Sequence, residues 1–255
     1  MKRNHTHYSD LKSHKQKKHP ENCQIFQRGS NWALAGSHEL ATGNWRVKQM
    51  KNNKLCEQVR VSAHRTGKMA GFVSISTSTV DNDFCAKMAA NPNCVCAKCY
   101  ARKYECYRPR LRHAMVQNGQ LLSSGLLADE QIPQLNALAV RIHAFGEIIN
   151  DTHVRNIYAI CNKNKRVLFV IWTKRPNMLS ADRPSNLRVI VSNPKIDSIV
   201  KYDPKCGFDA VFNVVSATYA EKNGIRVNCG GKSCKDCMNC YADEIQERTI
   251  IEVLK

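Results

Sequence analysis

The chain has 255 residues, 43% of them hydrophobic, and a formal net charge of +18; it can bury a sizeable core, and its surface repels itself unless an anionic partner neutralises it. No uninterrupted apolar run approaches the roughly 20 residues of a membrane span, and the basic N-terminus has no apolar stretch behind it, which argues against a bilayer-spanning or secreted protein. A soluble protein of the cytoplasm is expected, with nucleic acid, a nucleotide or an acidic protein as the partner classes that charge favours.

Residues 1–28 are basic and His-rich, and in the first twenty Lys2, Arg3, Lys12, Lys15, Lys17 and Lys18 stand against Asp10 alone. Such a composition cannot offset its ordering entropy and predicts a disordered tail. Residues 29–70 mix short apolar groups with Gly, Lys and Arg without a sustained period, which predicts an irregular N-terminal segment. From Gly71, GFVSISTSTV alternates apolar and small β-tolerant residues before the breaker run Asp81-Asn82-Asp83, so a strand should end there in a cysteine-rich loop. Helices are predicted over 111–129 and 151–163, and strands over 136–144, 166–173, 187–192 and 209–216. The strand RVLFVIWT is nearly continuous in apolar residues, as expected when both faces are buried. The closing segment YADEIQERTIIEVLK reads as a helix, with acidic residues in its first turn and Ile245, Ile250, Ile251 and Leu254 as its apolar face. Parallel strands need helix-sized, right-handed crossovers. The expected fold class is therefore α/β: a partial (β/α) barrel or open parallel sheet over residues 71–220, with a cysteine-rich C-terminal extension over 221–255.

The chain has 13 cysteines. In a reducing compartment clustered thiols bind metal more often than they form lasting disulfides. In NCGGKSCKDCMNCY, Cys229, Cys234, Cys237 and Cys240 are spaced C-x4-C-x2-C-x2-C. A structural zinc site is usually built from two separated Cys pairs, whereas successive C-x2-C turns resemble ferredoxin-type iron–sulfur ligation. The spacing favours an iron–sulfur cluster and leaves zinc as the alternative. Cys85, Cys94, Cys96 and Cys99 fall in the loop after the first strand of the β/α region, the end of such folds that carries chemistry. The unit C-x-x-C-Y-A occurs at Cys96 and again at Cys237, which suggests two metal centres; one zinc site drawn from both halves is the other reading. Cys94 stands one residue from Cys96, and their side chains are expected to diverge. Cys94 is then a bystander, or a fourth ligand that closes the site. Lys174 and Arg175, in TKRP at the end of the most apolar strand, are candidates for holding a carboxylate or phosphate. Ser192 and Asn193, at the end of the next strand, are weaker pocket candidates.

A three-Cys loop after the first strand of a β/α fold resembles the radical S-adenosylmethionine superfamily. That resemblance implies a four-iron cluster held by Cys85, Cys96 and Cys99, whose fourth iron binds the cofactor, and cofactor contacts at Gly146 and Glu147 in HAFGEI. Phe145 stands where the superfamily has a first Gly, and C-x10-C-x2-C replaces its usual C-x3-C-x2-C. More closely, FCAKMAANPNCVCAKCYARK, AFGEI, VIWTKRP and NCGGKSCKDCMNCY together resemble the gene-product-88-like family of phage proteins, from about Gly71 to Lys255. TKRP and CYA are also similar to the three-Cys-motif phage proteins. The resemblances imply an iron–sulfur protein with one or two four-iron four-sulfur clusters, S-adenosylmethionine as cofactor, a reductant protein as partner, and the host cytoplasm as location. The superfamily resemblance implies radical chemistry, with Cys229, Cys234, Cys237 and Cys240 holding an auxiliary cluster; the basic charge points to a nucleotide or nucleic acid as substrate. The alternative is a non-catalytic nucleic-acid-binding protein stapled by zinc or iron–sulfur centres.

Overall fold

The apolar run around Phe169 forms β4 (Leu168–Thr173), the central strand of a seven-stranded sheet in the order β1-β2-β3-β4-β5-β6-β7. The computed structural model describes residues 58–242 and 244–254; the expected tail at 1–28, and 29–57 of the irregular segment, lie outside them. The other strands are β1 (Ser62–Ala63), β2 (Val73–Ile75), β3 (Ala139–Ile142), β5 (Leu187–Ile196), β6 (Ala210–Val215) and β7 (Thr249–Val253). Strands β2 to β7 are all parallel, and β1 pairs antiparallel with β2 at one edge. Because spatial order follows chain order, each crossover leads to the neighbouring strand, and the C-terminal ends of β2 to β7 open on one rim. The sheet is open, as one of the two expected architectures required.

Connections are helical where the sequence offers caps and an apolar stripe. The helices are α1 (Asp83–Ala89), α2 (Tyr100–Tyr107), α3 (Pro109–Ser124), α4 (Asp151–Lys163), α5 (Ala217–Lys222) and α6 (Cys234–Cys237). Asn150 caps α4 by accepting from the His153 amide, and Val154, Ile157 and Ile160 form its buried stripe. That stripe packs with Leu122 of α3 against Val140, Ile142, Phe169, Ile171, Val189 and Val191 on one face of the sheet. Alternate strand residues point the other way. Ala139, Val170, Ile190, Ala210 and Ile250 are covered by Phe72, Tyr241 and Ile245, with Cys229, Cys234 and Cys240 packed alongside. The cysteine-rich extension is therefore a plug on the second face.

Three expectations are corrected. The closing segment is not a helix: Thr249–Val253 is β7. Ile250 faces the plug while Ile251 packs with Val215 and Ala220, so the adjacent isoleucines obey a period of two, and the open edge of β6 supplies the ladder. The cysteine-rich loop after β2 is largely helical, as α1 and α2. Helix α3 ends at Ser124, before Gly125, short of the expected 129. Among the described residues no helix is long and apolar enough to cross a membrane.

Candidate functional site

Asn82 begins the site. Its side-chain oxygen accepts from the Cys85 amide (3.1 Å), capping α1, and its Nδ2 donates to the Glu147 carbonyl (3.0 Å), tying that cap to the loop after β3. Further on, Cys94 caps a 3-10 turn over Val95–Lys98, and its backbone bridges to Lys195 of β5. Cys99 then leads into α2, whose buried Glu105 returns to the exit of β2, accepting from Ser78 Oγ (2.7 Å), Thr79 N (2.7 Å) and Thr79 Oγ1 (2.5 Å). Both helices are thus anchored to strand ends, and the four cysteines between Cys85 and Cys99 are held at the rim.

The expected divergence of Cys94 from Cys96 does not occur: residues two apart share a face even in extended chain, and the 3-10 turn that begins at Val95 folds the Cys96 amide back onto Cys94. The Cys96 amide donates to Cys94 Sγ (3.3 Å), and Cys94 is 2% exposed. A hydrogen bond from the Cys96 thiol lowers the Cys94 pKa, outweighing its burial, while the same bond and burial raise that of Cys96. Burial pushes Cys85 up to about 12, and the Glu147 and Cys99 charges add to this. Lys174 faces the group. Burial opposes its charge, but Cys96, Glu147, Cys94 and Cys99 outweigh that and raise its pKa; its Nζ donates to Ser192 Oγ (3.2 Å).

The expected cofactor element sits beside these thiols. Gly146 has φ +87°, and a Cβ there would lie 2.1 Å from Thr77 Oγ1 and 2.6 Å from the Thr77 carbonyl oxygen. Only glycine lets the exits of β2 and β3 approach so closely. Gly146→Ala is expected to cost about 2–3 kcal/mol in urea unfolding, because both the clash and the left-handed backbone oppose it; an unchanged midpoint would contradict this contact. Glu147 is buried, and its carboxylate accepts from Thr173 Oγ1 (2.7 Å), Lys174 N (2.7 Å) and Ile148 N (2.9 Å). Arg175 is likewise engaged, donating to the Ile148 and Ile149 carbonyls (2.7 and 3.0 Å) with its guanidinium over Phe84. Ser192 and Asn193 lie inside β5, not at its end, next to a register shift. Asn193 donates to the Ser198 carbonyl and Asn213 Oδ1, so it braces β5 and β6.

The second cysteine group is fixed mostly by backbone. Cys229 N donates to the Ile251 carbonyl (2.9 Å), Cys234 N to the Lys68 carbonyl (2.7 Å), and Arg188 holds the Cys240 and Ala242 carbonyls. Lys68 Nζ donates to Cys229 Sγ (3.0 Å) and to Glu252 of β7 (2.6 Å). Arg141, whose guanidinium stacks 4.2 Å from the Trp172 ring centroid, opposes the rise that burial causes at Cys234 and Cys240. Cys240 is pushed up to about 12 by burial, then by Cys229 and Cys234, whose charges it feels.

Cysteine sulfur beside half-buried cations is a donor set suited to anionic metal–thiolate centres, and both groups have it. Cys206 is disulfide-bonded and the ten other described cysteines are free. Among the described residues, no three His, Cys, Asp or Glu side chains form a set that could hold a metal ion. A zinc needs four ligands at roughly 2.0–2.3 Å from one point, so the thiols would have to close together around it.

Sequence reasoning missed several residues. His143, at the end of β3, has φ +61° and is 4% exposed; neither ring nitrogen finds a hydrogen-bond partner among the described residues. It packs edge-on against His153 (5.2 Å) and lies 3.9 Å from Glu147 Oε1. The signal available was a histidine at a strand end in HAFGEI. Arg141 had a plainer one, as a charge inside the apolar run NALAVRIHA.

The architecture is that of a cysteine-rich α/β protein, with one thiol group on the C-terminal rim of an open parallel sheet and a second plugging its face. The chain belongs to the gene product 88 family, whose model matches residues 45–248 and so takes in both cysteine groups. The match begins upstream of Gly71, where the sequence resemblance was expected to start. No curated protein and no solved structure matches the chain.

Proposed function

We propose that this chain is an iron–sulfur protein similar to radical S-adenosylmethionine enzymes. Cys85, Cys96 and Cys99 would hold the reactive cluster, and Cys229, Cys234, Cys237 and Cys240 an auxiliary one. The observation that supports the reading is the placement of the rim cysteines at the C-terminal ends of parallel strands, where the cap from Asn82 and the Cys96 amide on Cys94 Sγ hold them and where Lys174, bonded to Ser192, feels their charge. Such a cluster, when bound, supplies the electron that splits the sulfonium cofactor, and a reductant protein would have to deliver it. The chain's own part is positional. Lys174 favours thiolate at the rim, and Gly146 keeps the exits of β2 and β3 in contact. Glu147, with its carboxylate already bonded, acts as a positioning residue for the loop that would meet the cofactor. Cys94, beside Cys96, is either a fourth ligand or a hydrogen-bonding neighbour.

Anaerobic purification with iron, zinc and sulfide analysis tests this. Equal iron and sulfide with broad visible absorption is expected, and Cys85→Ser/Cys96→Ser/Cys99→Ser should remove about half of the iron. Colourless protein holding zinc would overturn the reading. Incubation with reductant and S-adenosylmethionine should then yield 5′-deoxyadenosine. The charge of +18 supports a second reading, a metal-stapled nucleic-acid-binding protein without catalysis. Intact clusters, no 5′-deoxyadenosine and binding that weakens steeply with salt would favour it.

A further inference from the structure

Helix α2 leaves the rim thiols with an exposed aromatic edge. Tyr100, Tyr104 and Tyr107 are 59%, 46% and 76% exposed. Their i, i+4, i+7 spacing puts them on one helix face. Tyr100 packs edge-on against Tyr104 (6.5 Å between centroids) and against Phe145 (6.1 Å) of the loop after β3, so the row begins at the rim. Cations flank it: Lys98, Lys103, Arg108 and Arg110 are exposed, and the Arg108 guanidinium lies 4.9 Å from the Tyr104 ring centroid. Between residues 97 and 113 the sole carboxylate is Glu105, which is 1% exposed and bonded to Ser78 and Thr79. The helix itself therefore offers rings and positive charge with no exposed carboxylate, and the nearby Asp81 is held by Arg112 of α3.

We infer that this face of α2 binds single-stranded nucleic acid, with unstacked bases on the tyrosines and phosphates on the flanking Lys and Arg. Charge alone would suit any polyanion. The aromatic row selects among them, since bases freed from a duplex stack on exposed rings whereas paired bases are hidden within it. Arginine beside a tyrosine ring adds cation–π attraction to the same platform. Because Cys99 immediately precedes Tyr100, a strand lying along the row would run to the thiol rim. The inference goes beyond the metal reading and stands on these side chains alone.

The test uses the full chain and fluorescence anisotropy with labelled oligothymidylate, oligouridylate, a DNA duplex of equal length and polyglutamate, over a salt series. Tyr100→Ala/Tyr104→Ala/Tyr107→Ala leaves every charge in place. It should weaken single-strand binding by roughly 100-fold or more, at roughly fivefold or more per stacked base, while duplex affinity and the salt slope stay as in the parent. The corresponding triple Phe variant should bind within about twofold of the parent, since it keeps the stacking faces. If the triple Ala variant does not fold, Tyr107→Ala, at the most exposed position, should still lose roughly fivefold. A loss in either single-stranded arm supports the inference and names the strand. Parental affinity in the Ala variants, equal losses for duplex and single strands, or binding of polyglutamate but of none of the nucleic acids would overturn it. The readout is binding rather than turnover, so its failure is distinguishable from failure of the metal reading.

Discussion

Replacing Glu147 with Ala is expected to lower the unfolding free energy by about 3–5 kcal/mol, since three donors lose their buried acceptor at about 1–3 kcal/mol each. Glu147 is 4% exposed. Its carboxylate is the acceptor for the Thr173 hydroxyl and for the amides of Ile148 and Lys174. Truncation leaves those donors unpaired in the core and removes a counter-charge from Lys174, and the desolvation already suffered by each is then uncompensated. At roughly 2–4 °C per kcal/mol for a chain of this size, the melting temperature should fall by about 6–20 °C. Glu147→Gln keeps one carbonyl acceptor but turns an amide donor toward groups that also donate, so an intermediate loss is expected. Adding Lys174→Met to Glu147→Ala should recover part of the loss, because a desolvated cation that has lost one nearby negative charge goes with it. Urea unfolding reads all three variants. A cost below about 1 kcal/mol for Glu147→Ala would mean that this network does not hold the exits of β3 and β4 together.

Position and use separate clearly at this residue. HAFGEI could be placed after a strand because NALAVRIHA carries an apolar run long enough for one, and the strand is there as Ala139–Ile142. What Glu147 does was not legible, since its partners are 26 and 27 residues further along and meet it only because a parallel crossover sets β4 beside β3. Helix α4, β4 and β6 were readable for the same reason as β3: each has its own period or apolar run. The closing segment misled because acidic residues ahead of an apolar stretch imitate a helix start, while the competing signal was a vacant edge on β6, a property of the whole sheet. The cysteines themselves were legible as two groups. The turn that brings Cys94 against Cys96, and the side chains of Lys174, Lys68 and Arg141 that face the thiols, depend on contacts between distant segments and on φ/ψ that no local pattern encodes.

Acid should unfold this protein earlier than its surface carboxylates alone would dictate. His153 is fully buried and its pKa is lowered to about 3 by burial. His143 is held well below its ordinary value by burial, then by His153 and by Arg141. In the unfolded chain both titrate near 6.5, so between about pH 6.5 and 3 the unfolded state binds more protons than the folded one. Stability contributed by the neutral pair is therefore complete above about pH 6.5 and is lost as pH falls through that window. Each histidine contributes a slope of up to about 1.4 kcal/mol per pH unit, and the two together up to about 2.7. Glu147 acts in the opposite sense: burial raises its pKa, so the folded state takes up that proton first and offsets part of the slope. His143→Asn isolates the pair, because Asn tolerates the left-handed backbone found at that position and does not titrate. In urea unfolding series from roughly pH 7 to 4.5 the parent should steepen below about 6, and the variant should lose up to about 1.4 kcal/mol per pH unit of that slope. Identical slopes would mean that His143 is already protonated in the folded state, with the Glu147 carboxylate 3.9 Å away as its counter-ion rather than a strut for β4.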